Sequence, residues 1–427
     1  MKTLTHPAEK AGKKTRPFPA RVCMHVQGIA RTDPRVMREA TTLAEAGFAV
    51  SIVDIEGEAG RPATEEIQGV SLRHVLMPNW YISTRFPWSL LKAAQMFIRT
   101  TLRVMRTPAD VYHTHDVPAL PAAYIAARWR RKPLIFDAHE LPLSEMPLSQ
   151  MSRSRRSIHP FLTRLFVAML PGCAGAIATS SPMAREMSKL YHYPEVSVVR
   201  NFPPYRRVSP GDRLRQHLGL SPEVRIALYQ GNIQPDRELD RVVRAASFLE
   251  QDIAIVMMGK AEPTTLSQLE ALIASEGIAD RVKIIPPVPY AELLDWTASA
   301  DIGLAIFSPD YTPHMKVCLP NKLFEYLMAG LPVLASSLDA VAEVVNVYDV
   351  GHILSSLAPA DIGNAINSLL ANQAALAQMG HNALDAAQQE FCWEKEGQEL
   401  IRLYEETLRI HKSDQVGPHC QQESPIR

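Results

Sequence analysis

The 427-residue chain is poor in the signatures that mark secreted, membrane-spanning and zinc-binding proteins. Its five cysteines (Cys23, Cys173, Cys318, Cys392, Cys420) are odd in number, scattered and never paired as C-x-x-C. That pattern indicates neither a disulfide framework nor a zinc site and fits a reducing cytoplasm. Residues 1–18 are polar and basic without an apolar stretch, which excludes a classical secretion signal. The longest apolar candidates, 88–105 and 161–180, are interrupted by Lys92, Arg99 and Arg103 or by Arg164 and Pro171, so neither reads as a membrane span. No G-x-G-x-x-G follows the first strand-like run, which disfavours a nicotinamide cofactor, and no H-E-x-x-H occurs. No repeat of solenoid length is present.

What is there points to an α/β protein. The length exceeds one ordinary core, so two α/β domains of roughly 180 to 200 residues are expected. The formal net charge is zero, yet residues 1–200 hold 27 Lys+Arg against 16 Asp+Glu, leaving 18 against 29 for the remainder. A basic first half can meet an anionic partner such as a phospholipid surface or a lipid-linked phosphate, or it can be a solvated face with no partner. The run 21–26, a helical stretch opened by Pro34 and closed by Gly47, and the β-branched run 48–55 form one strand–helix–strand unit. The alternation continues with strands at 109–113, 133–136, 175–179 and 196–199. After the polar, proline-containing stretch 203–213 it resumes with strands at 225–229, 253–258, 282–285, 302–305 and 332–335. The spacing predicts two doubly wound sheets joined near residue 205, a basic disordered tail over 1–18, and domains over 19–203 and 204–385. A last helix near 388–409 packs back on the first domain, and a disordered tail follows from about residue 412.

Ligands of such sheets bind beyond the carboxyl ends of the strands. There the first half places Gly28, then Tyr112-His113-Thr114-His115-Asp116, then Asp137-Ala138-His139-Glu140. A neutral imidazole beside an acid can orient a hydroxyl or a sugar, although one histidine can equally fill a turn. Metal ligation is the rival, and the lack of a compact ligand spacing argues against it. In the second half, Gly231-Asn232 with Arg237, and Met258-Gly259-Lys260, offer turns that let the backbone approach a phosphate. The densest candidate is the stretch Pro320-Asn321-Lys322-Leu323-Phe324-Glu325. A helix beginning there leaves free N–H groups for a diphosphate, Lys322 adds a cation, and Glu325 one turn on can accept bonds from ribose hydroxyls. A plain surface helix with a Lys–Glu pair is the alternative.

Taken in order, DPRVMREATTLAEAGFAVSIVD, YHTHD, FDAHE, TSSPMAREM, VVRN and PNKLFEYLMAGLPVLAS resemble glycosyltransferase family 4, the retaining enzymes of the GT-B fold. The likeness runs from about residue 21 to 408, and the last stretch is similar to the branch found among polysaccharide and surface-glycan transferases. The resemblance implies two facing Rossmann-like domains with a cleft between them, an acceptor site in the first and a nucleotide-sugar site in the second. It further implies that Glu325 holds the donor ribose, that Lys322 with the amides around Asn321 holds the pyrophosphate, that Arg237 is the basic loop position, and that His115 lies near the transferred sugar. Transfer with net retention and no bound metal or cofactor follows from the same likeness, with a glycan or lipid-linked acceptor and no nucleic acid partner. Two positions depart from the family pattern: Val317 stands where many members carry an acid eight residues before the ribose-binding glutamate, and Asn232 replaces a loop arginine, with His314 or Lys316 as substitutes. The basic segments 91–106 and 153–164 mix Phe, Met and Leu with arginines, as helices at a membrane surface do, or as core-facing helices with a charged outer side do. That makes a peripheral site at the inner membrane face an expectation. The alternatives are a sugar-nucleotide 2-epimerase and a degenerate, non-catalytic transferase.

Overall fold

A computed structural model describes residues 19–58, 60–77, 88–144, 151, 153–308 and 312–415. The two expected tails, 1–18 and the stretch beyond 415, lie outside the described residues. The first lobe is an eight-stranded sheet of β1 (Arg21–His25), β2 (Ala49–Glu56), β3 (Thr64–Ile67), β4 (Val70–Leu76), β5 (Val111–His115), β6 (Leu134–Ala138), β7 (Gly175–Ala178) and β8 (Val196–Val198). Its spatial order is β3-β4-β2-β1-β5-β6-β7-β8, parallel throughout except for the β3–β4 pair. Helices α1 (Pro34–Glu45), α2 (Trp88–Arg106), α3 (Asp116–Arg130), α4 (Arg153–Met169) and α5 (Ser181–Tyr191) make the crossovers. Strands covered on both faces must be apolar nearly throughout, and all five positions of β5 and β6 are buried.

The second lobe is a wholly parallel six-stranded sheet, ordered β11-β10-β9-β12-β13-β14. Its strands are β9 (Arg225–Gln230), β10 (Ile253–Met258), β11 (Val282–Ile285), β12 (Ile302–Ala305), β13 (Val333–Ser336) and β14 (Gly351–Leu354). Around it lie α6 (Arg213–Leu218), α7 (Leu239–Ala245), α8 (Pro263–Glu276), α9 (Leu293–Thr297), α10 (Pro313–Val317), α11 (Asn321–Met328), α12 (Asp339–Tyr348), α13 (Pro359–Ala371) and α14 (Gln373–Gln389). The two sheets have the doubly wound form that the sequence spacing predicts, with the lobes meeting at a cleft.

The β3–β4 hairpin, β14 and helices α12 to α14 are additions to that reading. The hairpin turns at Gln68-Gly69, both with positive φ (52° and 77°), the two-residue turn whose twist matches its strands. The last helix also differs: α14 ends at Gln389, and a separate helix α15 (Trp393–Gln415) starts four residues on and runs past 412. The break exists because Phe391 turns inward, 1% exposed, against Phe202, Phe324 and Tyr348. Arg200 closes it by bridging Glu390 and Glu396 at 2.8 and 2.7 Å.

Helix α15 crosses to the first lobe. There Leu400, Tyr404 and Leu408 join Val36, Ala40 and Leu43 of α1 in the core on one face of the sheet. The other face is covered by α2 to α5. Because Leu400 is fully buried in that shared layer, Leu400→Ala is expected to lower stability by about 2 to 5 kcal/mol. Urea unfolding followed by first-lobe fluorescence checks this, and an unchanged midpoint would mean that α15 contributes nothing to the core.

Candidate active site in the interlobe cleft

The second-lobe side of the cleft is built outward from Tyr326. This side chain is fully buried because Gly303 of β12 leaves it room: a Cβ at Gly303 would stand 2.4 Å from the ring. Its hydroxyl donates to the Leu228 carbonyl at 3.0 Å and accepts from the Gln230 N–H at 2.9 Å, locking α11 to the end of β9. Residues on either side of Tyr326 are thereby aimed. Glu325 accepts from the Gln230 side-chain amide, whose oxygen accepts from Thr297 Oγ1 at 2.6 Å. Burial raises the Glu325 carboxyl above the ordinary range, opposed by that amide and by the Lys322 ammonium. Lys322 Nζ lies 3.6 Å from the centroid of Tyr229 and 4.9 Å from that of Phe307, a cation held over two aromatic faces. Gly231, at φ 128°, passes beneath it, and a Cβ there would meet the lysine at 3.3 Å. Gly259 in turn packs on the Gly231 carbonyl, which a Cβ would approach to 1.8 Å.

Helix α11 starts at Asn321 after Pro320, with no side chain capping its first turn. Its end opens on a cavity of about 830 Å³ lined from both lobes. Arg237, in a turn with its guanidinium 5.2 Å from the Phe307 ring centroid, lines the same cavity.

The facing wall belongs to the first lobe and rests on a buried polar network. Arg35 of α1 donates from Nε and Nη2 to Asp137 at 3.0 and 2.7 Å and from Nη1 to the Val199 carbonyl at 3.0 Å. Asp137 Oδ2 also lies 3.0 Å from His139 Nε2 and 3.1 Å from His115 Nδ1. Asp116, in a left-handed conformation at φ 60° that a non-glycine residue adopts at a cost, accepts the His139 backbone N–H at 2.9 Å and faces its Nδ1 at 3.3 Å. Against burial, the carboxylates of Asp116 and Asp137 raise His139 to about 9, so this cleft histidine is an imidazolium at neutral pH. Burial holds His113 and His115 neutral. Burial also pushes Glu39 up to about 8, with Arg35 opposing. Glu39, His113, His115 and Asp137 offer possible metal-ligand atoms within 4.8 Å of one another. The Arg35 guanidinium already contacts both carboxylates there, so a fixed cation fills the electrostatic role of an ion.

Of the residues singled out in the sequence, His139, Glu140, Gly231, Asn232, Arg237, Pro320, Asn321, Lys322 and Glu325 line the one cavity. Five do not. His115 is buried beneath His139, and Asp116 acts on His139 from the side. Gly28 sits in the turn after β1 with its carbonyl taken by Ile55 N–H at 3.0 Å. Gly259 supports Gly231, and Lys260 is exposed while its carbonyl accepts from Ile233 N–H. Val317 packs into the first-lobe core, and its carbonyl accepts from Ser180 Oγ at 2.5 Å, so that position joins the lobes and does not face the cleft. His314, which burial lowers to about 4, lines the cavity and accepts the Leu141 N–H at 3.1 Å, a second tie between the lobes. Sequence reasoning missed Asp33, Arg35, Arg38, Gln230 and Tyr290 of the cavity wall. The arginines were legible only as part of an amphipathic helix, and nothing local marks Tyr290.

Two consecutive family models match this chain: Glycosyltransferase Family 4 over residues 35–203 and Glycosyl transferases group 1 over 211–385. The chain belongs to glycosyltransferase family 4. The D-inositol 3-phosphate glycosyltransferase of Thermobispora bispora is 25% identical over 401 residues, covering 90% of this chain and 91% of that protein. The protein of that name from Nocardia farcinica is 26% identical over 390 residues, 87% and 84% of the two chains. Among solved structures, sucrose-phosphate synthase from Thermosynechococcus elongatus superposes with a TM-score of 0.71 at 15% identity, over 92% of this chain and all of that one. HepE of Anabaena, in complex with UDP and glucose, gives 0.68 at 15% identity over 91% and 100%. These neighbours share the GT-B fold.

A histidine charged in the fold has a sign-definite effect on stability. His139 is raised from 6.5 to about 9, so its contribution is complete below 6.5 and is lost as pH rises through 9. The melting-temperature gap between the wild type and His139→Gln is therefore expected to shrink from pH 6.5 to pH 9.5. A gap independent of pH, by scanning fluorimetry, would remove the charged histidine.

Proposed function

We propose that this family 4 transferase moves a hexosyl or related group from a nucleotide-diphosphate sugar, with retention and without a metal or resident cofactor, to a glycan or lipid-linked acceptor. Its setting is surface-polysaccharide assembly at the cytoplasmic face of a membrane. The observation that carries the reading is the convergence of the α11 end, Lys322, Arg237 and Glu325 on a cavity whose opposite wall is His139 and Glu140. Oriented N–H groups and fixed cations are suited to a diphosphate. The near-full turn from Lys322 to Glu325 then puts a buried carboxylate on the same side of α11, where ribose hydroxyls can donate to it.

In this scheme the diphosphate leaves while Lys322, Arg237 and the helix end neutralise its growing charge, which is the task a metal performs elsewhere. The acceptor hydroxyl approaches on the face the diphosphate vacates, and a donor phosphate oxygen takes its proton, so no protein base is required. The His139 imidazolium, its two ring N–H groups engaged by Asp116 and Asp137, adds a fixed positive charge to the wall that faces the donor. No helix among the described residues is long and apolar enough to cross a membrane.

HepE was solved with UDP-glucose, so UDP-sugars head the donor screen, and the relatives' names put inositol 3-phosphate among the soluble acceptors to try. Lys322→Ala and Glu325→Ala are each expected to lower kcat/KM for the donor on the order of a hundredfold or more, with Glu325→Gln intermediate. Normal turnover of both alanine variants at limiting donor would end the donor-site assignment. Consumption of the sugar nucleotide without acceptor, yielding an epimeric sugar nucleotide, would replace transfer by epimerisation.

A further inference from the structure

Helices α2, α3 and α4 pack side by side over one face of the first-lobe sheet, and their inner sides fill its core. Their outer sides should be polar, and they are not. On α2, Trp88, Leu91, Ile98 and Leu102 are all exposed, at separations of three, seven and four that place them on one stripe. On α4, Ile158, Phe161, Leu162 and Leu165 are exposed at the i, i+3, i+4, i+7 spacing that ordinarily marks a buried face. Trp129 of α3 is 74% exposed and Ile125, one turn earlier, is exposed beside it. Single exposed apolar residues are ordinary, but a stripe on each of three adjacent helices is not.

The charge on the same surface has one sign. Helices α2 and α4 contain eight lysines and arginines and no acidic residue, and α3 ends in Arg128 and Arg130. Arg99, Arg106, Arg128 and Arg164 are exposed. Basic side chains flanking an apolar stripe with tryptophans at its margin are the chemistry of a helix lying in the headgroup layer of an anionic bilayer. A symmetric pairing of two copies through this face would oppose like charges, which disfavours a second copy as the occupant.

We propose that the outer face of α2, α3 and α4 docks the first lobe on an anionic lipid bilayer, its apolar stripes in the interfacial layer and its arginines among the lipid phosphates. The cleft is placed to match. Crossover helices begin at the carboxyl edge of the sheet, the edge that carries His139 and Glu140, and His159 of α4 donates to the Leu143 carbonyl at 3.1 Å, three residues from Glu140. A bilayer against this face therefore lies beside the acceptor wall of the cavity. The inference stands on the surface alone and does not depend on which sugar is moved.

The full chain is sedimented with phosphatidylcholine vesicles and with vesicles containing thirty per cent phosphatidylglycerol, at low and high salt. Binding to the anionic vesicles at least tenfold above the neutral ones, weakened by salt, is expected. Ile98→Glu with Phe161→Glu, and separately Arg99→Gln with Arg164→Gln, should each cut that binding tenfold or more, with melting temperature and transfer to a soluble acceptor unchanged. Equal binding to both vesicle types, or variants that sediment like the wild type, would overturn the proposal. So would light scattering that shows an oligomer which the first variant converts to a monomer, since the face would then be a protein interface. Vesicle binding without sugar transfer would leave the docking face standing and remove only the functional reading; transfer without vesicle binding would do the reverse.

Discussion

The ion pair of Arg35 with Asp137 is the constraint on which the first-lobe wall of the cleft depends. Both groups are buried, and two bonds of 3.0 and 2.7 Å plus a third to the Val199 carbonyl tie α1 to β6 and to the end of β8. Burying a charge is costly unless it is paired and hydrogen-bonded, and here the partners are Asp137 and the Val199 carbonyl of the cleft edge and Glu39 one turn along α1. Arg35 holds the Asp137 carboxyl well below its usual range. Asp137 therefore stays ionised where it meets His139 and His115. The network extends the other way to Glu39, to His113, and to Tyr404 Oη, which lies 2.6 Å from His113 Nδ1. A cleft histidine is thus supported by polar contacts that begin on the last helix of the chain.

The second-lobe wall follows a different principle. Apart from Glu325 and Lys322, α11 is packed in core, and its orientation is set by Tyr326 lodged over Gly303 and bonded to β9 and β12. The charged groups are few and each is held by a neutral neighbour: Glu325 by Gln230, Lys322 by the rings of Tyr229 and Phe307. Preorganisation comes here from packing, in the first lobe from ion pairing. In a cleft with one wall of each kind, the packed aromatic side keeps its shape while charge on the other wall responds to pH.

Much of this was legible in the sequence because parallel sheets advertise themselves: apolar runs, helices between them, and chemistry at the strand ends. The stretch from Pro320 to Glu325 stood out through residue types adjacent in the chain, and Pro320, Asn321, Lys322 and Glu325 all line the cleft cavity. The first-lobe network was legible only in halves. YHTHD and FDAHE marked the right strand ends, but the partner that organises them is Arg35, about a hundred residues earlier and indistinguishable in sequence from any polar residue of an amphipathic helix. Val317 illustrates the opposite failure. Counting back from Glu325 suggested a missing catalytic acid, whereas the backbone there turns away to join the lobes through Ser180. The inward turn of Phe391 likewise split one anticipated helix in two, because a single aromatic residue between long helical stretches carries no local sign of which side it faces.

The crossing of α15 has a consequence for how the protein is made. Leu400, Tyr404 and Leu408 complete a hydrophobic layer begun by residues 22 to 72, so the domain synthesised first is the last to close. While the ribosome is still adding the second sheet, that face of the first sheet is covered by α1 but not yet by α15, and the Val, Ile and Leu beside α1 stay open to water. Assembly is therefore ordered along the chain: the layer begun by residues 22 to 72 stays incomplete until residues 400 to 408 have been made.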